Sequence, residues 1–225
     1  MEVDWGGLEN FRESDLEDKN FKLPIPIILE EDSISIGEFE YNLCVSGVLS
    51  KSDFTTMCVS SQVVGENGEW WGSQKADLPD EVKDLIQDKI QPLLEYWRNI
   101  GYVGPVGPDC IVFRNTEGEL DLRWIDPNAR NPISMIPEVM SNKLNLPVWR
   151  NTNITFNEAI TDFNQISPLI KEIESQVPNC KIIPLAFRST SQNPSPVCKI
   201  GIFTENQESL DQAFAILSQT VTIGS

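Results

Sequence analysis

The stretch from Gly101 to Arg130, GYVGPVGPDCIVFRNTEGELDLRWIDPNAR, constrains this 225-residue chain more than any other. It reads as two strands joined at Glu117–Gly118, a two-residue turn signal of the hairpin type. With the turn there, the predicted cross-strand partners are Asn115–Leu120, Arg114–Asp121, Phe113–Leu122, Ile111–Trp124 and Asp109–Asp126. Side chains alternate between faces along a strand. Asp109, Ile111, Phe113, Leu122, Trp124 and Asp126 are therefore expected on one face, apolar except at its far end. Two carboxylates meet there, with Asn128 two residues beyond.

Like charges directly opposite one another destabilise a sheet unless a counter-charge joins them. A hard cation is the natural choice. Magnesium takes oxygen ligands and keeps several waters and substrate phosphates around it. Asp109, Asp126 and Asn128 are the candidate metal ligands. Arg130 is the candidate for a bidentate grip on phosphate or carboxylate. The residues alone leave a second reading open, in which both aspartates flank the hairpin in solvent and Asp126-Pro127-Asn128 forms a turn.

This segment resembles the end of an ATP-grasp domain. That family carries a Gly-rich lead-in, an acidic residue on one strand, and Glu-x-Asn-x-Arg closing the next. The matching residues are Gly101, Gly104, Gly107 and Asp109, then Asp126-Pro127-Asn128-Ala129-Arg130, with Asp126 where the family usually has Glu. The shorter side chain is expected to hold one ion rather than two. The resemblance implies an α+β fold, an antiparallel sheet flanked by helices like the family's C-terminal subdomain. A small C-terminal strand–strand–helix unit follows. ATP and magnesium are the implied cofactors, with Arg130 the catalytic residue on phosphate or acyl phosphate. Within Ile27–Glu31 (IILEE), Glu30 or Glu31 is the implied ribose ligand; a charged strand end is the other reading. Gly6 and Gly7 resemble the tail of a glycine-rich phosphate loop, where backbone N–H groups approach the ligand; a chain terminus is the other reading.

The implied activity is that of an ATP- and Mg-dependent carboxylate–amine ligase working through an acyl phosphate, or of its C-terminal ATP-grasp portion. Its substrates would be a small-molecule carboxylate and an amine. The alternative is a non-catalytic, degenerate ATP-grasp-like binding module or partner subunit. The family's first subdomain, with a phosphate-binding lysine, has no counterpart here, so an N-terminal partner subunit or further domain is expected. Residues 1–150 are assigned to the incomplete ATP-grasp-like domain and 151–225 to a C-terminal extension.

The remaining elements follow from periodicity. Leu78–Ile100 predicts a helix, with Val82, Leu85, Ile86, Ile90, Leu93, Leu94 and Trp97 at three- and four-residue steps and Pro92 dividing it. Ile25–Glu31, Gly37–Leu49, Phe54–Val64 and Glu69–Gly72 read as strands. Pro132–Leu144 predicts a helix with Met135, Ile136, Val139, Met140 and Leu144 inward. Thr155–Val177 predicts another, interrupted at Pro168. Cys180–Ala186 and Val197–Phe203 read as strands joined by the Pro-rich loop Arg188–Pro196; the resemblance to ATP-grasp peptide ligases implies that Arg188 and Ser189 contact a carboxylate, and a flexible surface loop is the other reading. Gln207–Gln219 predicts a final helix. Of the adjacent Trp70 and Trp71, one is expected in the core and one half-exposed. Neither is assigned to binding, nor are Gln62 and Ser73.

Composition excludes several classes. Acidic residues outnumber basic ones 34 to 17, for a net charge of −17. Such a chain repels nucleic-acid phosphates and anionic membranes. Arg114 is expected to pair with Asp121 rather than serve a ligand. There is no histidine, so a Ser–His–Asp triad and imidazole-bound zinc are out. Phosphoryl and acyl transfer need no histidine, because positioning and charge carry them. The five scattered cysteines predict reduced, buried thiols, and with no signal-like leader they predict a cytoplasmic protein.

Overall fold

The computed structural model describes residues 38–65, 70–155, 166–190 and 193–223, except the side chains of 188–190 and 193–196. Gly6, Gly7, Glu30, Glu31 and the expected strand Ile25–Glu31 lie outside the described residues. In chain order the elements are β1 (Glu38–Leu49), β2 (Phe54–Val64), β3 (Trp70–Lys75), α1 (Asp80–Lys89), α2 (Gln91–Asn99), β4 (Gly104–Val106), β5 (Asp109–Arg114) and β6 (Leu120–Asp126). There follow α3 (Met135–Leu144), β7 (Val148–Thr155), α4 (Ser167–Gln176), β8 (Lys181–Thr190), β9 (Asn193–Thr204), α5 (Gln207–Thr220) and β10 (Thr222–Ile223). The strands form one sheet in the order β6-β5-β1-β2-β3-β7-β9-β8, with β4 beside β1 and β10 beside β7. Every pairing is antiparallel. The architecture is α+β, an antiparallel sheet flanked by helices, as the hairpin and its resemblance imply. No helix among the described residues is long and apolar enough to cross a membrane.

Pro92 divides the expected long helix as predicted. It sits in the first turn of α2, where its missing N–H removes no intrahelical bond. Val82, Ile86, Ile90, Leu94 and Trp97 pack on Leu43, Val45, Val106, Cys110, Val112 and Leu122. A second core joins Ile173, Leu210, Ala213 and Leu217 of α4 and α5 to Ile154, Cys198, Ile200 and Ile202. Asn206 caps α5, its side chain accepting from the Ser209 N–H at 2.9 Å.

Strand register assigns the two faces. Leu43 pairs with Ser61, Ser61 with Gln74, and Gln74 with Arg150. Paired residues share a face, and Arg150 lies over the Phe214 ring of α5 at 4.4 Å. One face therefore carries α1 and α2 at one end and α5 at the other. The opposite face carries Cys44, Ser60 and Lys75 in one paired row and Gln62, Ser73 and Asn151 in the next. On this side lies α3, whose Glu138 accepts from Lys75 Nζ at 3.1 Å and from Trp149 Nε1 at 2.8 Å.

Three expectations are corrected. The body of the β5–β6 hairpin is shifted by one residue, pairing Cys110 with Trp124, Val112 with Leu122 and Phe113 with Asp121. The loop is longer than two residues because Asn115 Oδ1 accepts from the N–H groups of Glu117 and Glu119 at 3.0 and 2.9 Å. Gly118 takes the left-handed conformation this loop needs, φ 82°. Cys110, Val112, Leu122 and Trp124 thus face the helices, and Arg114 bonds Glu40 at 2.8 Å while Asp121 meets Lys89 at 2.9 Å.

The second correction concerns α3, which turns Pro137, Glu138 and Ser141 inward and leaves Ile136 and Val139 exposed. Met140 and Leu144 turn inward as expected, onto Cys58, Leu146, Trp149 and Phe203, while Glu138 and Ser141 bond polar atoms beside that cluster. The third concerns the Pro-rich segment, most of which is strand. Only residues 197–204 of β9 pair with β7. Pro194 and Pro196 lie past that ladder, where a missing N–H breaks no bond to β7. The strand β7 itself falls in a stretch for which periodicity assigned no element before Thr155.

Candidate active site

Asp109 and Asp126 are cross-strand partners in the structure, as the sequence predicts, but a bulge between Asp109 and Cys110 is what restores that pairing. Asn128 joins them. Its Nδ2 donates to Asp126 Oδ2 at 2.7 Å and to Asp109 Oδ2 at 3.3 Å. Its backbone is fixed from both sides, the N–H donating to the Asp126 carbonyl and the carbonyl accepting from the Gly107 N–H, each at 2.9 Å. A Cβ at Gly107 would stand 2.4 Å from the Pro132 side chain, so glycine is what lets this segment pack against Pro132.

Asp109, Asn128 and Arg130 line one cavity of about 350 Å³. Asp126 does not line it and is tied to it through Asn128. Arg130 is exposed. Burial pushes the Asp109 carboxyl above the ordinary aspartate range. A bond to Cys44 opposes the rise, the Asp126 charge adds to it, and the Arg130 guanidinium and Gln62 oppose it. Asp109 is thus half desolvated beside a second carboxylate, the setting in which a bound cation relieves the most repulsion. Among the described residues no three His, Cys, Asp or Glu side chains converge on a metal position. The donor set is two carboxylates and an amide, which is how the sequence reads.

The floor of the cavity comes from residues that the sequence left unassigned. Cys44, Ser60, Gln62 and Ser73 project from β1, β2 and β3. Ser134, just before α3, contacts Ser46 Oγ at 2.7 Å. Cys44 is buried among these groups and its thiol is pushed up to about 12, first by desolvation and then by Asp109. It is a packed neutral thiol, not a nucleophile. Trp70 and Lys199 complete the wall, with the ammonium 4.2 Å from the ring centroid. Trp70 therefore faces the cavity rather than the core. The signal for this floor was present as Cys44-x-Ser46 and Cys58-x-Ser60-x-Gln62, small polar residues at every second position of otherwise apolar strands. Lys199 had no such signal. The side chains of Arg188 and Ser189 lie outside the described residues.

A larger cavity, about 690 Å³, lies between the sheet and α1 and α2. Its walls combine core side chains such as Val45, Ile86, Ile90 and Leu94 with Asp53, Lys75, Lys83 and Arg98, and they hold no pair of carboxylates.

No protein-family model and no curated protein matches the sequence. Solved structures match in fold. An ADP complex of purK, an N5-carboxyaminoimidazole ribonucleotide synthetase, superposes with a TM-score of 0.51 at 16% identity, over 81% of this chain and 50% of that one. The likeness is to an ATP-grasp type of fold. An L-amino acid ligase from Bacillus licheniformis gives 0.50 at 10% identity, over 83% of this chain and 54% of the other. A biotin carboxylase–β,γ-ATP complex from Campylobacter jejuni gives 0.50 at 11%, over 83% and 47%. The likeness is one of architecture, and this chain spans about half the length of the proteins it matches.

Proposed function

We propose that this chain is the C-terminal ATP-grasp portion of an ATP- and magnesium-dependent carboxylate–amine ligase. The observation that carries the reading is the joining of Asp109 and Asp126 by Asn128 at the mouth of a cavity that also holds Arg130. The donor set fits magnesium through the carboxylate oxygens of Asp109 and Asp126; Asn128, whose Nδ2 faces both carboxylates, would offer its Oδ1 only after its amide turns over. Magnesium-bound ATP would supply the phosphoryl group and neutralise its charge. Arg130 would hold the phosphate or acyl phosphate through paired N–H donors. The buried floor would keep water from the acyl phosphate.

In such a reaction a carboxylate oxygen bonds to the γ-phosphorus as the bond to ADP breaks. An amine then bonds to the acyl carbon, inorganic phosphate leaves, and the nitrogen loses a proton. The carboxylate and amine would be small molecules, given the cavity's volume. The chain's share of its structural matches favours a second reading as well, in which it binds nucleotide without turning over substrate alone and acts with a further domain or subunit.

Thermal unfolding with and without magnesium plus ADP tests both readings. A ligand that binds only the native state stabilises it by about 2.7 kcal/mol at a hundredfold excess over Kd. The expected result is a magnesium-dependent rise in Tm that the Asp109→Asn/Asp126→Asn protein lacks. No rise at millimolar nucleotide defeats the claim that this chain binds nucleotide by itself.

A further inference from the structure

Among the lysines of the described residues, Lys75, Lys83, Lys89 and Lys181 each pair with a carboxylate, and Lys51, Lys143 and Lys171 are exposed to solvent. Lys199 is half-buried, pairs with no carboxylate among the described residues, and rests on the Trp70 ring. Burial holds its ammonium below the ordinary lysine range. In a chain with twice as many acidic as basic residues, a desolvated cation without an acidic partner is an unmet charge. It lines the same cavity as Asp109, Asn128 and Arg130.

A second, independent group awaits a partner there. Ser60 Oγ is fully buried, lines the cavity, and has no hydrogen-bond partner among the described residues. An orphaned buried hydroxyl costs free energy unless something supplies a bond. Register gives the cavity two ends. Asp109 pairs with Cys44, and Cys44 with Ser60. From the strand of Asp109 to that of Trp70 there are three strand spacings, roughly 14 Å; Trp70 also lies further along the strands, opposite Val64 rather than Ser60, and Lys199 reaches in from β9, beyond β7. Arg130 and the carboxylate pair occupy one end, the hydroxyl floor the middle, and a lone cation on an aromatic ring the other. A phosphate has its partners at the first end, so the second cation calls for a separate anionic group.

We propose that Lys199, braced on Trp70, binds the substrate carboxylate of the ligase reaction, with Ser60 donating to the same molecule. The inference rests on the ligase reading for the reaction and on the cavity for the contact.

The test is lysine-acetylation footprinting of the full chain by mass spectrometry, with acetate, glycine and succinate as probes, inorganic phosphate as the competing anion, and magnesium plus ADP present throughout. A carboxylate is expected to shield Lys199 saturably while phosphate does not. Carboxylate affinity is expected to fall about tenfold or more in Lys199→Met and to survive in Lys199→Arg. The Tm rise with magnesium and ADP is expected to be unchanged in both variants. The footprint on the unsubstituted chain gives the answer even where a variant misfolds. Shielding by phosphate alone, no shielding by any probe, or equal carboxylate affinity in Lys199→Met would each overturn the proposal. Carboxylate shielding without any nucleotide-dependent rise would overturn the nucleotide reading and still support the contact at Lys199.

Discussion

On one face of the sheet, Leu43, Val45 and Val59 meet α1 and α2 through side chains that carry no polar atoms. On the other face, the neighbouring residues of the same strands are Cys44, Ser46, Cys58, Ser60 and Gln62, and α3 above them contributes a buried glutamate. The first face stabilises the chain through apolar area removed from water. The second has a smaller apolar cluster around Trp149 and Phe203, and beside it must match its polar atoms one by one. Where matching is complete, as at Glu138, the result is an anchor. Where it is incomplete, as at Ser60, Asp109 and Lys199, the result is a cavity with unmet bonding capacity. Strand alternation thus separates stability from recognition within single segments of sequence.

Five substitutions sharpen or break that contrast. Leu43→Ala removes a fully buried side chain from the apolar face and is expected to cost about 3 kcal/mol in urea unfolding. A loss below 1 kcal/mol would mean that this face is not the stabilising one. Glu138→Ala leaves Lys75 Nζ and Trp149 Nε1 without their acceptor, for an expected loss of about 2 kcal/mol. Lys75 is 36% exposed, so Lys75→Met should cost distinctly less, and equal losses would point to packing rather than pairing.

Ser60→Ala is the sharpest contrast. Removing an unpartnered buried hydroxyl is expected to leave the free protein unchanged or stabilise it by about 1 kcal/mol, while carboxylate binding weakens. A destabilised Ser60→Ala protein would show that the hydroxyl already has a partner.

The smallest effect belongs to the Lys89–Asp121 pair on the surface. Partial burial raises the Asp121 carboxyl, but the Lys89 ammonium and the Leu122 N–H outweigh it and hold the group below its ordinary value of 3.8. Its contribution is therefore present above that value and lost as pH falls through the lower folded one. Asp121→Asn is expected to cost ~0.5 kcal/mol at neutral pH and nothing in strong acid. A difference that persists in acid would assign the effect to something other than charge.

Local pattern carried the hairpin, the divided helix and the final helix. Each is specified by residues close in sequence: Gly118 in the turn, Pro92 in the first turn of α2, Leu210 and Leu217 along α5. The pairing of Asp109 with Asp126 was also legible, although two offsets cancel to produce it. The Asn115 side chain lengthens the loop by bonding to its own backbone, and the bulge beside Asp109 takes the shift back. Neither leaves a mark in hydrophobic periodicity. On α3 periodicity placed Met140 and Leu144 inward correctly but Ile136 and Val139 wrongly, because it ranks positions by apolarity and part of this helix covers a polar floor.

By itself, then, the sequence determined the α+β class, the carboxylate pair with its Asn128 and Arg130, and the exclusion of histidine chemistry, since all of these reside in residue types and short spacings. Tertiary structure alone decided that Lys199 and Trp70 meet, and that they share a cavity with Asp109. That contact depends on β7 entering the sheet between β3 and β9. Such long-range strand order is set by which faces can be buried together, a property of the whole chain that no local window of residues contains.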